Sequence, residues 1–159
     1  MKKHNNGYTL MEMMVVLAII VILLLMATPS YIDKSIRDQI DEGLPLADIA
    51  KAPVANEWAS TKSFPADNAV AGLPAADKIV NNYISSVTVE EGAIHVTFGN
   101  RAMKLLKGRM LTLRPAVVED APVVPVTWVC GHSATPDNMT VKGNNKTNIP
   151  VKYLPFKCR

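Results

Sequence analysis

Gly7-Tyr8-Thr9-Leu10-Met11-Glu12, followed by the run MMVVLAIIVILLLMA from Met13 to Ala27, decides how this chain is built. The run is fifteen consecutive apolar residues. Counted from Tyr8 the segment reaches twenty residues, interrupted only by Thr9 and Glu12. As a helix, twenty residues rise about 30 Å, the thickness of a bilayer core. Ahead of it, Met1–Gly7 is short, polar and basic, with Lys2 and Lys3, which favours an N-terminus left in the cytoplasm. A cleaved secretory signal would need a small-residue site after the apolar core, and Leu25-Met26-Ala27 is a poor one. A buried core helix should be amphipathic, and this one is apolar on every face. A membrane anchor remains, with one anomaly.

The anomaly is Glu12. A carboxylate inside a membrane segment costs about 2.5–3.5 kcal/mol on insertion scales and therefore has a partner or a purpose. One reading has Glu12 near the interface, reaching to water. The other has a cut after Gly7, which creates an α-amino charge on Tyr8 able to neutralise a glutamate in the apolar layer. That charge comes from the same chain or from a neighbour packed alongside.

Beyond the anchor, an apolar stripe runs Ile36, Ile40, Leu44, Ala47, Ala50, Val54, Trp58, in steps of three and four. That is helical spacing, and its phase survives Pro45 and Pro53, so the spacing predicts one kinked helix whose stripe is core. Residues 60–86 hold Pro65, Gly72 and Pro74 and read as a loop, with a candidate helical turn near Asp77–Tyr83. Ser86–Glu90 and Ala93–Phe98 alternate around Glu91-Gly92, a hairpin signal. Met110–Arg114 alternates again and is expected to stop at Pro115, and Val126–Cys130 makes a fourth strand. A helix followed by successive strands predicts an α+β fold, an antiparallel sheet of four strands packed on the helix.

The formal charge of +3 hides an asymmetry. Residues 33–100 carry five Lys/Arg against ten Asp/Glu, and residues 101–159 carry ten against three. This is either a solvated surface of uneven charge or a device for meeting a partner. Lys142, Lys146 and Lys152 are the candidates for DNA binding, through phosphate neutralisation. The competing reading gives them to the acidic half of a neighbouring copy. Cys130 and Cys158 are an even pair behind an export signal, which favours a disulfide over two buried thiols. His4, His95 and His132 are isolated, and no metal constellation, phosphate loop, nucleophile elbow or carboxylate dyad is legible, so neither an enzyme nor a cofactor is expected.

Lys2-Lys3, then Gly7-Tyr8-Thr9-Leu10-Met11-Glu12 and the apolar run, closely resembles the precursor signal of type IV pilins, and Pro29 and Tyr31 resemble the helix of that family. Val126-Thr127-Trp128-Val129-Cys130-Gly131, Asn145-Lys146-Thr147-Asn148-Ile149-Pro150, Lys152-Tyr153-Leu154-Pro155 and Cys158-Arg159 resemble the C-terminal end of type IVa pilins. The resemblance implies a leader at 1–7, a transmembrane and assembly helix at 8–28, its amphipathic continuation at 29–59, a connecting loop at 60–86, and a sheet with a disulfide-bridged loop at 87–159. It implies cleavage by a prepilin peptidase between Gly7 and Tyr8, N-methylation of Tyr8, pairing of Glu12 with a neighbour's N-terminus, and a Cys130–Cys158 bridge. It also implies an inner-membrane precursor, the inner-membrane pilus assembly machinery as partner, and a surface fibre of many copies for adhesion and twitching motility. The alternatives are a minor pilin with a dedicated DNA- or surface-binding role, and a type II secretion pseudopilin, a class that usually lacks the bridged end.

Overall fold

The helical stripe is where the folded chain begins its core. Ile36, Ile40, Ala47, Ala50 and Val54 are fully buried, and Leu44 and Trp58 nearly so. The structure, a computed structural model, describes residues 7–159. The leader expected at Met1–Gly7, with Lys2, Lys3 and His4, lies outside the described residues except for Gly7. The chain divides into two compact units, one ending at Ser35 and one comprising Ile36–Arg159.

Helix α1 runs Leu10–Gly43 and helix α2 runs Asp48–Thr61. Between them Leu44–Ala47 forms a turn of 3₁₀ helix with Pro45 in its first positions, so the helical course from Leu10 to Thr61 is continuous and tightens at the first proline. The stripe explains how the phase survives. Its steps of three, Leu44 to Ala47 to Ala50, fall on this segment, and a 3₁₀ turn takes three residues. Pro45 lacks an N–H that the start of a helical segment does not need. Pro53, by contrast, stays within α2.

Five strands follow: β1 (Ile84–Glu90), β2 (Ala93–Phe98), β3 (Met110–Val117), β4 (Thr127–Cys130) and β5 (Thr140–Val141). All pair antiparallel in the order β1-β2-β3-β4, with the two-residue β5 also on β3. The hairpin turns at Glu91 and Gly92, both at positive φ (50° and 83°), the mirror-image turn whose twist suits a two-residue connection. β1 starts two residues earlier than its alternation indicates, because a register shift between Ile84 and Ser86 hides the pattern.

The expected stop at Pro115 is corrected: β3 continues to Val117. β4 pairs along one edge of β3 as far as Ala116. On the other edge, pairing with β2 ends at Ile94–Leu113 and pairing with β5 begins at Ala116–Val141. Pro115 falls in that gap, where no ladder donor is required, and its carbonyl accepts the Lys142 N–H at 2.9 Å. Ile84, Val87, Val96, Phe98 and Leu111 meet the helical stripe in one core. Each such side chain contributes about 1.5–3 kcal/mol on burial.

Candidate functional site

The N-terminal candidates lie on and just before the first turn of α1. Tyr8 is 80% exposed and Glu12 is exposed. Thr9 precedes the helix, and its hydroxyl oxygen accepts the Glu12 N–H at 3.2 Å while its carbonyl accepts the Met13 N–H at 3.2 Å. Thr9-Leu10-Met11-Glu12 thus has the spacing of a capping box, a signal that was readable in the sequence and was missed. The hydroxyl satisfies one orphan donor of the helix start, and the Glu12 carboxylate sits in the first turn, at the positive end of the helix dipole. Among the described residues no cation forms an ion pair with that carboxylate. From Leu10 to Met26 the large apolar side chains are all exposed, and the helix is long and apolar enough to cross a membrane.

The second group is built around Cys130 and Cys158, which are joined by a disulfide and are both buried. Gly131 sits at φ +56°, and a Cβ there would lie 2.5 Å from the Cys158 carbonyl oxygen, so only glycine fits beside the bridge. The same carbonyl accepts the His132 N–H at 3.0 Å. Within the bridged segment, residues 145–148 bind β3 mainly through side chains. Thr147 Oγ1 accepts the Thr112 N–H (3.0 Å), Asn148 Oδ1 accepts the Met110 N–H (2.7 Å), and Thr112 Oγ1 accepts the Lys146 N–H (3.0 Å). The polar run Asn145–Asn148 therefore acts as a strand substitute, which alternation of apolar residues cannot reveal.

The three candidate lysines do not converge on one partner. Lys142 pairs with Glu119 and Lys146 pairs with Glu90, while the Lys152 ammonium lies 4.3 Å from the centre of the Tyr153 ring. Lys157 pairs with Asp41 at 3.2 Å, and Arg37 donates to the Lys152 carbonyl at 2.6 Å. Lys146–Glu90 and Lys157–Asp41 thus join the basic third to the acidic half of the same chain. The hydrogen bond from Lys146 holds the Glu90 carboxyl below its ordinary value of 4.5. Beneath it His95, 2% exposed, has Nδ1 2.9 Å from Thr112 Oγ1 and Nε2 3.7 Å from Glu90. Burial pushes the His95 imidazole below 6.5, the Lys146 charge adds to this, and Glu90 opposes it. Among the described residues no group of His, Cys, Asp and Glu is placed to hold a metal.

Sequence reasoning also missed Asn68. It is nearly buried, its amide donates to the carbonyls of Pro74 and Val87 (3.0 Å each), and its Oδ1 accepts the Val89 N–H at 2.6 Å. One side chain thereby closes the outer edge of β1 and ties down the 60–86 loop.

The sequence pattern of the pilin family, bacterial filament proteins, matches residues 37–159. That of the prokaryotic N-terminal methylation motif matches residues 2–28. The chain is 33% identical to the type IV major pilin protein PilE of Neisseria gonorrhoeae, over 96% of this chain and 93% of that one. It is 32% identical to the fimbrial protein EcpC of Eikenella corrodens over 100% of this chain and 94% of that one. It is 34% identical to the type IV major fimbrial protein FimA of Dichelobacter nodosus over 71% of this chain and 82% of that one.

Proposed function

Because the chain belongs to the type IV pilin family, whose members assemble into filaments, we propose that it is the structural subunit of a fibre shaft. The methylation motif implies processing by a prepilin peptidase, and in our reading the cut falls between Gly7 and Tyr8, with Tyr8 then N-methylated. The carrying observation is the exposed apolar face of α1 with one carboxylate in its first turn. Before assembly the anchor sits in the inner membrane. During extraction by the pilus assembly machinery, Glu12 pairs with the new α-amino group of a neighbour, and the apolar faces of many copies bury one another. Adhesion and twitching motility are the uses proposed for the resulting fibre.

A minor subunit that captures DNA would hold its basic groups uncommitted. Here Lys142 and Lys146 lie against Glu119 and Glu90, which favours the shaft reading. Intact mass and N-terminal sequencing of protein sheared from cells test the proposal. The expected chain starts at a methylated Tyr8 and is abundant in the fibres. A chain starting at Thr28 or later, or one scarce in fibres, would overturn the shaft reading.

A further inference from the structure

His95 lies where the two ties of one lysine meet. Ile94 and Val96 belong to the core shared with the helices, so alternation turns His95 to the opposite face of the sheet. There it is buried beside residues 145–148, which bond to Thr112 on the neighbouring strand. Lys146 holds the sheet in two places. Its backbone N–H donates to Thr112 Oγ1 at 3.0 Å, and its ammonium pairs with Glu90 Oε2. The imidazole faces both of these oxygens, with Nδ1 2.9 Å from Thr112 Oγ1 and Nε2 3.7 Å from Glu90 Oε2. The second distance is too long for a hydrogen bond, and Nε2 is buried without a partner among the described residues.

Thr112, fully buried, sets where the protons sit. Its oxygen accepts the Lys146 N–H, and its single hydroxyl hydrogen needs an acceptor. His95 Nδ1 supplies one, which leaves the hydrogen of the neutral ring on Nε2, facing Glu90. A second proton goes to Nδ1. The ring then turns a donor toward the Thr112 hydroxyl, whose own hydrogen loses its acceptor in a buried place. The ring also gains a positive charge beside the Lys146 ammonium and competes with it for Glu90 Oε2. Each change weakens one of the two ties of Lys146. The charged groups facing the ring are Glu90 from β1 and Lys146 from the bridged segment. β3 contributes the uncharged Thr112, and Arg114, further along that strand, turns its guanidinium to the Gly131 carbonyl at 3.5 Å.

We propose that His95 is the sensor of an acid-opened latch, in which protonation of its ring frees Lys146 from Thr112 and Glu90 and lifts the chain around Lys146 off β3. Two anchors that do not touch the ring bound the lift. The Lys142 N–H donates to the Pro115 carbonyl at 2.9 Å, and Asn148 Oδ1 accepts the Met110 N–H at 2.7 Å. Burial and the Lys146 charge keep the closed ring neutral near pH 7. An opened ring regains an ordinary value near 6.5, so the balance shifts toward the open form as pH falls below about that value. The open form carries one more positive charge and releases the Lys146 ammonium, so acidity sets the charge that this face presents. The device lies within the second unit and holds whether or not the chain builds fibres.

The test follows single amides of the full chain in detergent micelles by hydrogen exchange from pH 7.5 to 5.0, each rate corrected for its intrinsic pH dependence. The open fraction at the Lys146 amide should rise by up to about thirtyfold, the limit for a ring that titrates near 6.5 once exposed. Dilute, non-denaturing urea should leave that exchange unchanged while it speeds the amides of β2, a strand paired on both sides that exchanges through global unfolding. His95→Gln should remove the pH response. His132→Gln should keep it, although His132 Nδ1 lies 3.5 Å from the Asn145 amide. Lys146→Met, a change at a half-exposed position, should move the titration of the His95 ring carbons to higher pH, and this reading stands even where His95→Gln fails to fold. A Lys146 amide as protected and as urea-sensitive as those of β2 overturns the latch. So does a pH response that survives His95→Gln or vanishes in His132→Gln, or a ring titration unmoved by Lys146→Met.

Discussion

Leu17, Ile20 and Leu23 on α1 are 58%, 45% and 60% exposed, whereas Ile36 and Ile40, further along the same helix, and Val54 on α2 are fully buried. The residue types are alike, and what differs is their pattern. Between Met13 and Ala27 every face is apolar, so no single packed surface can cover the helix. From Ile36 to Trp58 the apolar residues keep to one stripe, which a sheet can cover. The second unit, the head formed by Ile36–Arg159, accordingly completes a core within one chain, while the first unit requires lipid or other copies. A contiguous apolar surface of this kind is not tolerated in water and marks a membrane or assembly face.

The comparison is broken most directly at Glu12. Glu12→Ala and Glu12→Gln should reduce fibres to near zero without reducing membrane insertion, since either makes the segment more apolar. Head stability should not change. Fibre recovery, membrane fractionation and thermal melting read the three outcomes separately, and normal fibres from Glu12→Ala would remove the pairing role.

Next in size is the bridge. Its cysteines are 28 positions apart, and opening a loop of that length costs roughly 3–4 kcal/mol in the chain-entropy model. Cys158→Ser should lower the urea midpoint of the head accordingly, and reactivity of both thiols in native, unreduced protein would remove the premise. Asn68→Ala should cost about 1–3 kcal/mol, because it strips partners from Val87 and Val89 at the sheet edge. Amide exchange at Val89 should rise ahead of exchange in β3, and equal protection in both would count against an edge-closing role.

A smaller effect follows pH. His95 titrates below 6.5 when folded, so below about that pH the unfolded chain binds a proton that the folded chain refuses. Head stability should fall as pH drops through that window, and His95→Gln should flatten it. Glu90, held below 4.5, adds a second loss at lower pH, as its carboxylate becomes protonated and releases Lys146. Urea midpoints at intervals from pH 7.5 to 3.5 separate the two steps, and a flat profile above pH 5 would contradict the His95 assignment. The smallest expected effect is none: a fragment starting at Asp33 should melt as the head of the full chain does, because the core begins at Ile36. A fragment that fails to fold would mean the head depends on the apolar helix.

The anchor, the helical stripe and the hairpin at Glu91-Gly92 were legible because each is written in neighbours within a few turns or pleats. Pro115 misled because a proline ends a strand only where its missing donor is needed, and that depended on where β2 and β5 meet β3. Ile84 and Ser85 were hidden by a register shift, and β5 is too short to show a period. The composition leaves the lysines open to DNA or to acids of a neighbouring copy, and the fold pairs Lys146 with Glu90, 56 positions away in the same chain.

The sequence by itself determined which segment is apolar on every face, which segment is apolar on one, and where a carboxylate interrupts the first. Those follow from periodicity and composition, which depend on local geometry alone. Only the tertiary structure decided that Asn68 closes β1, that Asn145–Asn148 stands in for a strand, and which acids meet the basic third. These are hydrogen bonds and ion pairs between distant positions. Their partners are chosen by how the chain packs its core, and no local pattern records that choice.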